Sequence, residues 1–63
     1  MNKGYELHIY FVDGATVFLD EIVPNLTQAE AKTLWEKQYK HRRWGSVYSV
    51  EDKRSGHIMV PIL

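Results

Sequence analysis

The chain has 63 residues, no cysteine, and eight Lys/Arg balanced by eight Asp/Glu, for a formal net charge of zero. That length suits one domain, residues 1–63, with one small core, and the missing cysteines exclude a disulfide framework and the cysteine-based zinc sites. A dedicated DNA-binding domain is usually basic overall, and this chain is not.

Met1 to Gly4 lead straight into an alternating pattern with no stretch of signal-peptide type, and apolar runs such as Ile9 to Val12 are far too short to span a bilayer. A soluble, cytoplasmic protein is the expectation. Tyr5, Leu7, Ile9 and Phe11 then point one way and Glu6, His8 and Tyr10 the other, the period-two signature of a strand. Asp13-Gly14 marks a turn, after which Ala15 to Leu19 alternate again. A three-residue loop, Val12-Asp13-Gly14, pairs Phe11 with Ala15, Ile9 with Val17 and Leu7 with Leu19. That register gathers the aliphatic residues on one face, and burial of that face selects it.

Pro24-Asn25 breaks the extended run. Thr27-Gln28-Ala29-Glu30 forms a capping box, in which Thr27 accepts from the amide of Glu30 and Glu30 reaches back to the amide of Thr27. The spacing predicts a helix from about Gln28 to about Arg42, with Ala31, Leu34, Trp35, Gln38 and Tyr39 on one arc and Gly45 as the left-handed residue that ends it. A second hairpin follows: Ser46 to Val50 with Tyr48 and Val50 on one face, a polar turn over Glu51 to Gly56, then His57 to Ile62 with Ile58, Val60 and Ile62 on one side. Pro61 places that last segment at an edge or a terminus.

The fold predicted is α+β, order ββαββ, with a four-stranded, mostly antiparallel sheet and one helix packed on one face. Its expected core holds Leu7, Ile9, Phe11, Val17, Leu19, Leu34, Trp35, Tyr39, Tyr48, Val50, Ile58 and Val60. So small a core with open sheet edges makes a homodimer, through an edge strand or an aromatic face, one expectation.

Catalytic patterns are absent. His8, His41 and His57 fall on separate elements with no paired metal-ligand spacing, and the serines have no strand-to-helix elbow. The neighbouring acidic pairs Asp20-Glu21 and Glu51-Asp52 point to opposite faces of a strand, and the isolated glycines cradle no phosphate. No enzyme, metal or cofactor is expected.

Two surface features stand out. The outer face of the first hairpin offers His8, Tyr10 and Phe18, with His8 opposite Phe18, and exposed aromatics are over-represented where partners dock. The same residues could instead serve only cross-strand packing. The second feature is Lys37-Gln-Tyr-Lys-His-Arg-Arg-Trp44. On a helix, Tyr39 turns inward while Lys40 and Arg43 turn out, leaving Lys40, Arg42, Arg43 and Trp44 as a basic helix end. Residues 1–31 carry one basic and five acidic groups and residues 32–63 seven basic and three acidic, so that positive end belongs to a charge-polarised chain. The function expected is a small non-enzymatic protein-interaction module, an adaptor or stoichiometric inhibitor of the kind a phage or mobile element encodes. It would dock a protein partner with an acidic surface through both features. The alternative is a nucleic-acid binder using the basic helix end, with Trp44 stacking on bases.

Overall fold

Strands dominate this chain because β-branched and aromatic residues alternate with polar ones over most of its length. The computed structural model describes residues 3–62; Met1 and Asn2, which begin the stretch read for a leader, lie outside it. The elements are β1 (Tyr5–Asp13), β2 (Thr16–Leu26), α1 (Gln28–Gln38), β3 (Trp44–Ser49) and β4 (Arg54–Met59). They form one sheet in the order β2-β1-β3-β4, with every pairing antiparallel. The expected α+β, ββαββ fold is therefore the one observed. Among the described residues no helix is long and apolar enough to cross a membrane.

Helix α1 lies over one face. Leu7 and Ile9 of β1 have no exposed surface, and with Ala31, Trp35, Val47 and Met59 they make the buried core. Tyr5, Val23, Leu26, Leu34 and Tyr39 pack partly buried around it. The capping box forms as its spacing predicts. Thr27 Oγ1 accepts from the Glu30 amide at 3.1 Å, and Glu30 Oε1 accepts from the Thr27 amide at 2.9 Å.

The helix stops at Gln38, four residues short of the predicted end, and Gly45 is not its terminator. Tyr39 caps it, and the Tyr39 carbonyl accepts from the amides of Arg42 and Arg43 at 2.9 Å each, which turns the chain back at once. Trp35 Nε1 then donates to the Arg43 carbonyl at 2.9 Å. Gly45 lies in β3 flat beneath that indole, where a Cβ would stand 2.7 Å from Nε1 and closer still to Cδ1. Gly45 is required for close approach, not for a left-handed backbone.

The first hairpin also departs from the predicted register. Its loop is Gly14-Ala15, closed by Asp13 opposite Thr16, with Phe11 opposite Phe18 and Tyr10 opposite Leu19. Gly14 has φ +61° at the first loop position, as a type II′ turn requires. Gathering the aliphatic residues on one face does not select the register here, because this sheet carries apolar residues on both faces. Val17 and Leu19, expected in the core, therefore point away from α1.

Other core assignments change for related reasons. In β3 it is Val47, not Tyr48, that faces the helix, and in β4 it is Met59, not Ile58 or Val60. Val50 falls in the β3–β4 turn, which is shorter than predicted, so β4 begins at Arg54. Phe11 does face the helix side, yet it is 38% exposed. Eleven residues of helix rise about 16 Å, whereas a strand of β1's length runs about 30 Å, so α1 cannot cover the hairpin tip.

Candidate functional site

Residues directly opposite in an antiparallel pair share a face, and faces alternate along each strand. The pairs His8–Ile22, Tyr10–Leu19 and Val12–Val17 join β1 to β2, and Tyr10–Trp44 and His8–Ser46 join β1 to β3. Ser46 in turn pairs with Ile58 of β4. All of these lie on the face opposite α1. That open face is apolar rather than polar: Val17 and Leu19 are each 52% exposed, and Val12, Ile22 and Ile58 are exposed as well. Trp44 and Tyr10 are half-buried between them. An antiparallel sheet covered on one side usually turns polar residues to water, so this arrangement is unusual for a surface with nothing on it.

A β-bulge makes the aliphatic row continuous. Leu19 and Ile22 are three residues apart, a spacing that would put them on opposite faces of a regular strand. The register shifts between Ile9 and Tyr10, leaving Asp20 as the extra residue, so Leu19 and Ile22 both reach the open face. The bulged Asp20 carboxylate turns to Arg43, whose Nε donates to Oδ2 at 3.3 Å.

The other end of the face is polar and closed. His8 Nε2 donates to Glu6 Oε1 at 3.0 Å, and its ring stacks on Tyr48 with centroids 4.6 Å apart. Beneath them Ser46 is fully buried, and its hydroxyl has no hydrogen-bond partner. Among the described residues of this face Glu6 is the one carboxylate, and no Lys or Arg stands on it.

Of the residues read as a binding surface, His8, Tyr10 and Trp44 come together on the open face. Phe18 does not: it sits on the helix side, opposite Phe11 and not His8, with the two rings stacked at 5.7 Å. The guanidinium of Arg43 lies 5.3 Å from the Phe11 centroid while holding Asp20. Lys40, Arg42 and Arg43 lie in the turn after α1 and not on a helix end. The tail ties that turn down, since the Ile62 amide donates to the Lys40 carbonyl at 2.7 Å and His41 Nδ1 donates to the Ile62 carbonyl at 3.0 Å. Nearby, the Tyr39 hydroxyl donates to Glu21 Oε2 at 2.9 Å, and that bond, with partial burial, raises the Tyr39 pKa above its ordinary value.

Sequence reasoning missed the aliphatic residues of the face: Val12, Val17, Leu19, Ile22 and Ile58. The signal for them was the three-residue spacing of Leu19 and Ile22, which only a bulge reconciles with one face. On the helix side, an open cleft of about 350 Å³ lies between Gln28 and the β3–β4 hairpin, lined by Tyr5 and Val47 with Asp52 and Arg54 among its polar residues. No protein-family model matches the chain, and neither does any curated protein or solved structure.

Proposed function

We propose that this chain is a small protein-interaction module that works by stoichiometric binding, as an adaptor or inhibitor, and not by catalysis. Its docking surface is the open sheet face. The observation that carries this reading is the run of exposed aliphatic side chains, Val17, Leu19, Ile22 and Ile58, around half-buried Tyr10 and Trp44. Interface cores combine apolar burial with aromatic anchors and little charge, and this face has that composition. The turn bearing Lys40 and Arg42 stands outside the apolar patch and supplies charge at its rim, where it steers encounter with an acidic partner.

The nucleic-acid reading draws less support. Aromatics on the central strands of a four-stranded sheet can stack single-stranded bases, but such platforms need cations along the path of the phosphates. None stands on this face, and Arg43 is already engaged by Asp20 and Phe11.

Affinity capture with the tagged chain as bait tests the proposal, using Leu19→Glu on the open face and Lys32→Glu on the exposed side of α1. One defined protein should be retained by the parent chain and by Lys32→Glu, and reduced about tenfold or more by Leu19→Glu. Equal retention by a folded Leu19→Glu variant overturns the assignment of the surface.

A further inference from the structure

We infer that the occupant of the open face is a second copy of this chain, making the protein a symmetric dimer closed through Tyr10, Leu19, Ile22, Trp44 and Ile58. The inference rests on the binding-module reading for the surface, but it makes a separate claim about the partner. A two-fold contact through an uncharged patch buries no charge, so a second copy can seat there without needing a complementary partner charge. Here the one carboxylate, Glu6, is bonded to His8 at the edge of the apolar patch, and no Lys or Arg is present, so self-contact carries little electrostatic cost.

Size points the same way. The two longer extents of the molecule, 36 and 22 Å, bound the whole face, polar end included, so a contact there falls within the roughly 800 Å² per partner of a standard interface. Meanwhile six buried apolar residues make up the core among the described residues, and small domains without disulfide or metal commonly gain stability by self-association. Permanent cover for an aliphatic face requires an occupant present whenever the chain is made, and a second copy meets that condition.

The sheet edges, by contrast, are poorly suited to pairing between copies. On β2 the ladder is interrupted by the bulge at Asp20, by Pro24, and by Asn25 with φ +65°; β4 is only six residues long. The copies therefore meet face to face, sheets about 10 Å apart and both α1 helices outside, with a two-fold axis in the interface plane. Both basic turns stay at the periphery, so the dimer presents them in duplicate.

Sedimentation equilibrium tests this directly. The expected mass is twice the 7.4 kDa of one chain, with association weakened about tenfold or more in Leu19→Glu. Because that variant could unfold once uncovered, thiol reactivity provides a second measurement in a chain that has no cysteine of its own. Ile22→Cys should react slowly with a maleimide at high protein concentration and quickly on dilution, while Lys32→Cys reacts quickly throughout. A single-chain mass with equally fast Ile22→Cys labelling at every concentration overturns the dimer. So does a dimer that survives Leu19→Glu with Ile22→Cys still reactive, because its contact lies elsewhere. A monomer that still captures another protein through Leu19 refutes the second copy alone, whereas a monomer without that dependence refutes the binding surface too.

Discussion

At the scale of single residues, Gly45 and Trp35 are a matched pair. The indole needs a flat strand beneath it, and its Nε1 needs the Arg43 carbonyl at 2.9 Å. Both conditions fix where the chain must return after the helix. Adding one methyl at Gly45 drives a Cβ into the indole, and overpacking of this kind costs about 1–3 kcal/mol. Gly45→Ala should therefore lower unfolding free energy by that amount in urea titration, and the loss should shrink when Trp35→Ala is made as well. An undiminished loss in the double variant would mean that the strain comes from the backbone. This pair also shows where sequence reading stops. A glycine just past a helical pattern reads as a helix terminator, and nothing local distinguishes that role from a close approach to a tryptophan ten residues earlier. Val47 and Tyr48 raised the same difficulty, since adjacent apolar residues leave the inward one undecided until the partner strand is known.

At the scale of elements, local signals were legible and reach was not. The capping box is a four-residue pattern whose partners are its own backbone amides, so it forms as its spacing predicts. The Thr27 amide, followed by the Lys3 ammonium, holds the Glu30 carboxyl below the usual carboxylate range. A lowered folded-state value means that its contribution is present above the ordinary carboxylate pKa and is lost as pH falls through the lowered one. Thr27→Ala should cost about 1 kcal/mol at neutral pH by chemical denaturation. Glu30→Gln keeps the acceptor for the Thr27 amide but removes the charge, so it should flatten the acid limb of the stability profile. An unchanged acid limb in Glu30→Gln would show that other carboxylates set it. The length of α1, by contrast, depends on a contact made after it ends, and the exposure of Phe11 and Phe18 depends on that length. The bulge at Asp20 was hidden because both registers satisfied the alternation rule within each strand, and only the pairing between strands separates them.

At the scale of the whole molecule, the order of patterns along the chain gives the architecture, whereas one-sided burial is a poor guide to a sheet that carries apolar residues on both faces. Alternation in β1 sets Tyr10 and His8 opposite the helix, and the pairing between strands puts Val17, Leu19 and Ile58 on that same face, outside the core expected to hold them. Charge behaves in a comparable way. The acidic first half and basic second half read as a dipole, yet folding joins them where Arg43 Nε lies 3.3 Å from Asp20, while Lys3 Nζ sits 3.2 Å from Glu30 within the acidic half itself. These side chains are between 37% and 49% exposed, so solvent screening leaves the pairs little net contribution. Roughly 1 M sodium chloride contracts the screening length to about 3 Å and should remove most of that contribution. What holds the molecule together is apolar burial beneath α1, which salt of this kind does not weaken. Urea midpoints at low and high salt should therefore differ by less than about 1 kcal/mol of unfolding free energy. A loss above about 2 kcal/mol would make the long-range ion pairs, and not the Leu7–Ile9–Trp35 core, the main determinant of stability.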